Sequence, residues 1–120
     1  MKILVADDEP HIVMALEFLL RKQGYEVLIA RNGDEALALV DSARPDLVLL
    51  DVMMPARSGY DVCKEIRARP DLAGMKVVML SAKGGQRDVQ QGLAAGADLY
   101  ISKPFSNREL LDRIDALLKR

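Results

Sequence analysis

The sequence predicts an α/β protein: a doubly wound sheet of five parallel strands in the order 2-1-3-4-5, with helices on both faces. Three observations predict it. Short apolar runs of strand length alternate with stretches whose apolar residues recur at helical spacing, five of each. The run inside Pro45–Pro55, Leu47-Val48-Leu49-Leu50, is continuous rather than alternating, as in a strand covered on both faces. The connections are short, so parallel neighbours must be joined by the helices themselves through right-handed crossovers.

Taken in order, Lys2-Ile3-Leu4-Val5-Ala6 is the first strand and stops at Asp7-Asp8-Glu9-Pro10. Pro10 suits the first turn of a helix, and acids before it suit the helix N-terminus. Ile12, Val13, Leu16, Leu19 and Leu20 make the stripe of the first helix, which Gly24 ends. Glu26 to Ala30 is the second strand. Asn32 and Gly33 break the chain, and Ala36, Leu37, Leu39 and Val40 carry a second helix ending near Ser42. The third strand ends on Asp51. Ser58 is an N-cap for the third helix, with Val62, Cys63 and Ile66 on one face. Pro70 to Gly74 reads as a loop, Lys76 to Leu80 as the fourth strand ending at Ser81, and about Gln86 to Ala95 as the fourth helix. Asp98 to Ile101 is the fifth strand, ending at Ser102-Lys103-Pro104. Ser106 and Glu109 have capping-box spacing, and Leu110, Ile114, Leu117 and Leu118 form the buried stripe of the last helix.

Length and composition bound the function. The chain has 120 residues, half of them hydrophobic, which suits one domain with a full core. The formal net charge is −1 and no basic stripe stands out, so direct nucleic-acid binding gains no support. Cys63 is the single cysteine, which excludes an internal disulfide and fits a reducing cytoplasm. No signal peptide is visible, and no apolar run approaches the roughly 20 residues of a membrane span.

The predicted strand order makes the first and third strands neighbours at the switch point. Asp7, Asp8 and Asp51 then meet in one crevice, with Ser81 and Lys103 at the ends of the next strands. Carboxylates so placed repel one another unless a cation stands among them. Lys103 is one such charge. Hard oxygen ligands without a His or Cys cluster point to Mg²⁺ as the other. His11 has no partner at ligand spacing and reads as a solvated helix-start residue. A carboxylate can attack phosphorus and form an aspartyl-phosphate, and positioning and cations carry most of that catalysis. Asp51 is thus the candidate nucleophile, Lys103 a fixed cation, and the Ser81 hydroxyl a donor to a phosphoryl oxygen. Singly, each residue has a bland reading as a cap, turn or surface group. Their occurrence together, in order and each after an apolar run, favours chemistry.

These residues carry a family resemblance. Asp7-Asp8-Glu9-Pro10, Asp51-Val52-Met53-Met54-Pro55 with Gly59, Ser81-Ala82, and Lys103-Pro104-Phe105 closely resemble the receiver domain of bacterial two-component response regulators. The resemblance covers essentially the whole chain, so that residues 1–120 read as a single receiver domain of flavodoxin-like type. It implies that Asp51 accepts phosphate from the phosphohistidine of a histidine kinase or phosphotransfer protein. It implies that Asp8, Asp51 and the Met53 backbone carbonyl bind Mg²⁺ directly, and Asp7 through a bound water. Lys103 would pair with the phosphoryl group, Ser81 would move to hydrogen-bond it, and Tyr100 would turn inward as Ser81 moves. The Lys103–Pro104 bond would be cis, a form with a prior of only about 5% from sequence alone. Met53 and Lys83 would tune how water reaches the phosphoryl group, and their side chains predict slow self-dephosphorylation.

The fourth helix looks poorly anchored: its stripe is mainly Val89 and Leu93, it is flanked by Gly84, Gly85 and Gly96, and Gly92 in its interior costs roughly 1 kcal/mol relative to Ala. In the family resembled, the fourth helix, fifth strand and fifth helix form the output surface. A phosphate mimic with Mg²⁺ should therefore shift amide signals across residues 82 to 106. Cys63, Met14 and Met79 read as core residues. The implied function is a cytoplasmic phospho-accepting regulator that switches a downstream protein effector, as a monomer or a phosphorylation-dependent dimer. Beyond its own phosphorylation and dephosphorylation it would not be an enzyme. A receiver cut from a longer DNA-binding or enzymatic regulator fits equally well. An FMN carrier would need a Gly/Ser/Thr-rich phosphate cradle where Asp7-Asp8-Glu9 stands, and an aspartate-nucleophile phosphatase a second acid where Met53 stands.

Overall fold

The computed structural model describes residues 1–82 and 85–119; Lys83, Gly84 and Arg120 lie outside them. The elements alternate as expected: β1 (Lys2–Ala6), α1 (Pro10–Lys22), β2 (Glu26–Ala30), α2 (Gly33–Ala43), β3 (Leu47–Asp51), α3 (Gly59–Arg67), β4 (Lys76–Ser81), α4 (Gln86–Ala94), β5 (Leu99–Ser102) and α5 (Asn107–Leu118). All neighbouring strands are parallel, in the order β2-β1-β3-β4-β5.

β3 is buried along its whole length, and its side chains alternate between two cores. Leu47 and Leu49 face α1 and α5, among Ile3, Val5, Leu16, Leu20, Leu110 and Ile114. Val48 and Leu50 face α2, α3 and α4, among Ala36, Val40, Val62, Ile66 and Tyr100. The continuous apolar run follows from this two-sided cover.

Local chemistry sets the element ends. Asn32, Ser58 and Ser106 each cap a helix, accepting from the backbone N–H of Glu35, Asp61 and Glu109 at 2.8, 3.2 and 3.3 Å. Gly24 follows α1 at φ 92°, a left-handed conformation that glycine tolerates. α2 runs to Ala43, one residue past the expected end, and closes on Arg44 at φ 51°. The Lys103–Pro104 peptide is cis.

Three expectations need correction. Pro70–Leu72 is a turn of 3₁₀ helix rather than a plain loop, with Pro70 opening it and Leu72 buried beneath. Met14 is not core: it is 69% exposed, beside Phe18 at 71%, on the face of α1 opposite Leu16 and Leu20. Leu93 is 47% exposed, so it does not belong to the buried stripe of α4. Gly92 is the buried residue of that helix instead. A Cβ on Gly92 would stand 2.6 Å from Cδ2 of Tyr100, so the glycine is what lets α4 lie against that ring. Met79 and Cys63 are fully buried, as expected. The Cys63 thiol donates to the Ala95 carbonyl at 3.3 Å, and burial pushes it up to about 11.

Candidate functional site

The carboxyl ends of the strands bring the expected residues together. Asp7 follows β1, and its N–H donates to Ala30 O of β2 at 3.1 Å. Asp51 is the last residue of β3 and Ser81 the last of β4, both buried. Lys103 follows β5, and its N–H donates to Ser81 O at 2.7 Å. Oxygens of Asp7, Asp8 and Asp51 all lie within 4.8 Å of one another. Asp7 and Asp51 form the floor and Asp8 is exposed at the mouth.

Behind Asp51 the chain turns tightly. Val52 N–H donates to Leu80 O at 3.2 Å, and Gly59 N–H donates to Val52 O at 2.9 Å. A Cβ on Gly59 would stand 2.4 Å from the Asp51 carbonyl oxygen, so only glycine lets α3 begin this close to the acid. The Met53 N–H donates to Asp51 Oδ1 at 3.4 Å. Its side chain is exposed at the rim of a cavity of about 330 Å³ lined by Asp8, Glu9, Asp51, Met53, Ser81, Ala82 and Lys103.

The charges explain the electrostatics. Burial, then the charge of Asp7, pushes the Asp51 carboxyl up to about 6; Lys103 and the Met53 N–H pull the other way, and Asp8 adds to the rise. Burial lowers the Lys103 ammonium, but the charge of Asp51 and the carboxylates of Asp7 and Glu9 outweigh it, so the net shift is upward. Lys103 Nζ lies 3.2 Å from Asp7 Oδ2, 3.2 Å from Glu9 Oε1 and 3.7 Å from Asp51 Oδ2. One ammonium thus faces more negative charge than it can neutralise. A divalent cation fits the remainder, and an all-carboxylate donor set suits a hard ion such as Mg²⁺.

Tyr100 lies on β5, buried, with its ring in the slot that Gly92 leaves. The resemblance implies a ring that turns inward on switching; here it is inside. The Tyr60 hydroxyl donates to the Asp88 carbonyl at 3.4 Å. Burial, then the neighbouring Tyr100 hydroxyl, pushes Tyr60 up to about 12. Lys83, expected to tune water access, lies outside the described residues. The role of Glu9 beside Lys103 was not legible in the sequence; its place in Asp7-Asp8-Glu9-Pro10 was the only signal.

With this geometry in place, comparison with known proteins decides the family. The model of the response regulator receiver domain matches residues 3–115. The chain belongs to that family. Solved receiver structures agree over almost the whole length. A putative response regulator from Chloroflexus aurantiacus is 37% identical, with 99% of this chain and 98% of that one covered and a TM-score of 0.94. The receiver domain of a Francisella response regulator is 34% identical, with 99% and 97% covered and a TM-score of 0.92. The receiver domain of a sensor histidine kinase from Pseudomonas aeruginosa, which holds a magnesium ion in its active-site cleft, is 30% identical, with 99% and 98% covered and a TM-score of 0.91. This receiver domain has its acidic cluster at the ends of β1 and β3, and none of its described helices is long and apolar enough to cross a membrane.

Proposed function

We propose that Asp51 of this receiver domain accepts a phosphoryl group from the phosphohistidine of a histidine kinase or phosphotransfer protein. The observation that carries the reading is the setting of Asp51. It is a buried carboxylate at the end of β3, clustered with Asp7 and Asp8, and the Lys103 ammonium lies 3.7 Å from its Oδ2 and 3.2 Å from Asp7 Oδ2. The Asp51 carboxylate oxygen forms the new bond to phosphorus, and the donor's P–N bond breaks with the electron pair leaving on the imidazole. Asp8, Asp51 and the Met53 carbonyl would hold Mg²⁺, with Asp7 acting through a bound water. Bound there, Mg²⁺ supplies positive charge to phosphoryl oxygens. Lys103 supplies a second cation, and the Ser81 hydroxyl a hydrogen bond. Met53, at the position where a phosphatase would need an acid, supports a phosphoacceptor rather than a catalyst of turnover.

The group brings about 1.5 to 2 negative charges. That charge acts through Ser81, Lys103 and Tyr100 on the face of α4, β5 and α5, where a protein effector in the cytoplasm would bind. Incubation with a phosphorylated histidine kinase and Mg²⁺ tests the reading by intact mass. One added phosphoryl group, absent in Asp51→Asn, is the expected result; equal labelling of Asp51→Asn sinks it. The exposed Met53 side chain at the cavity rim favours a long-lived phosphoryl group, so Met53→Asn should shorten its half-life.

A further inference from the structure

Glu9 has no part in the reading so far. It is the N-cap residue of α1, yet its side chain makes no cap bond. The carboxylate turns to Lys103 instead: Oε1 accepts from Nζ at 3.2 Å, as close as Asp7 Oδ2 and closer than Asp51 Oδ2 at 3.7 Å. The two near partners differ in kind. The Asp7 side chain is 1% exposed, that of Glu9 47%. The backbone places Glu9 there: its N–H donates to Asp7 Oδ1 at 3.0 Å, and Pro10 stiffens the next link. The Lys103–Glu9 pair also stands between two spaces. Both residues line the cavity over Asp51, and both line a groove of about 520 Å³ with Ile12, Leu16 and Phe105.

We propose that Glu9 is a positioning residue for phosphoryl transfer: it shares Lys103 Nζ with Asp7 and keeps it 3.7 Å from Asp51 Oδ2, beyond direct hydrogen-bond reach, until the ammonium is exchanged onto a phosphoryl oxygen. The proposal rests on Asp51 being the acceptor. An ammonium has three donors, and in this arrangement Asp7 and Glu9 each take one. A half-exposed ion pair is weak, while breaking a buried one is costly. Glu9 is therefore the partner that Lys103 gives up, and Asp7 the one it keeps. Glu9 sets where Lys103 waits, and so how readily it meets the incoming group.

The test uses acetyl phosphate as donor in saturating Mg²⁺. The bond between phosphorus and the acyl oxygen breaks, acetate leaves with the electron pair, and an Asp51 oxygen takes the phosphorus; Lys103 stays protonated throughout. Rates are measured by intact mass for wild type, Glu9→Ala and Glu9→Asp, each also combined with Lys103→Met. Glu9→Asp keeps the charge but loses one methylene of reach. Both variants should react about threefold faster than wild type. Both gains should vanish beside Lys103→Met, and the Lys103 Cε resonance should move in both. If Glu9→Asp behaves as wild type, or if Glu9→Ala accelerates equally beside Lys103→Met, Glu9 acts only by its charge on the incoming anion and the proposal is overturned. No change in either variant overturns it too. A wild type that takes no phosphoryl group from acetyl phosphate or from a phosphorylated histidine kinase overturns the acceptor reading and this proposal together.

Discussion

α3 and α4 lie side by side on one face of the sheet, and they are held in different ways. α3 buries Val62, Cys63 and Ile66 completely. α4 buries Gly92. Burying a Val or Ile side chain contributes about 1.5–3 kcal/mol, so α3 has a strong hold on the sheet where α4 has little. Around α3 the polar contacts also interlock. Arg57 joins Asp34 of α2 to Glu65 of α3, Arg69 joins Asp41 to Asp71, and Arg44 also reaches Asp71. These pairs are exposed and each adds little, but they tie α2, α3 and the 3₁₀ turn at several points.

α4 is tied chiefly at one end; near its start a single long bond reaches it, from the Tyr60 hydroxyl of α3 to Asp88 O at 3.4 Å. Beyond its last turn, Arg67 of α3 donates to Gly96 O at 2.8 Å, to Met75 O at 2.7 Å and to Asp98 Oδ2 at 2.7 Å. Asp98 Oδ2 accepts in turn from Val77 N–H at 2.8 Å. The N-cap at the other end is Gly85, which has no side chain with which to cap. Opening costs least where the fewest contacts must break. A helix held chiefly at its C-terminal corner and lightly packed along its length should open more readily at its N-terminal end.

The contrast between the two helices breaks first at the core. Ile66→Ala should cost about 2–5 kcal/mol in urea unfolding, because the site is closed on every side. A loss below that of Leu93→Ala would remove the basis of the contrast.

The two regions should also answer acid with opposite sign. Arg69 and Arg44 hold Asp71, on the α2–α3 side, down at about 2. Its contribution is present above the ordinary carboxylate value and is lost as pH falls through about 2. Asp51 is raised from 3.8 to about 6, so its folded form holds the proton more tightly than the unfolded chain. The stability this contributes is full below pH 3.8 and lost as pH rises through about 6. In chelated, metal-free buffer the loss should be on the order of 2 kcal/mol, and Asp51→Asn should flatten it. A wild-type stability that climbs steadily across that window would reverse the sign.

Arg67→Ala sharpens the contrast at the pinned end of α4. It frees two backbone carbonyls and leaves Asp98 without its cation, at a cost of about 1–2 kcal/mol. Amide exchange should quicken around Ala95 to Asp98 as strongly as at the start of α4; exchange that quickens only at Gln86 to Val89 would place the pin elsewhere. The smallest effect belongs to Leu93→Ala, at under about 0.5 kcal/mol, since the side chain is half in solvent. A larger loss by thermal melting would mean that α4 packs through Leu93 after all.

The order of residues along the chain is enough to read the elements, their order, the sheet and the acids at the strand ends. Each of these rests on a local signal: an apolar run closed by a charge, a Ser-x-x-Glu spacing, a proline before a helix. Asp51 alone reads as a turn or cap residue; it stands out because Asp7, Asp8, Ser81 and Lys103 each follow an apolar run in the same chain, and a carboxylate at the end of a fully buried strand is costly unless a cation or a reaction there uses its charge. Tertiary structure decided what no local signal carries. Met14 and Leu16 stand two residues apart on α1, and only packing showed that one faces solvent and the other the core. Gly92 read as a weakness of α4 until the Tyr100 ring was seen lying where its Cβ would be. Glu9 and Lys103 are separated by 94 positions. Their meeting depends on β1 and β5 ending at the same edge of the sheet, a consequence of the fold as a whole and of neither residue's neighbours.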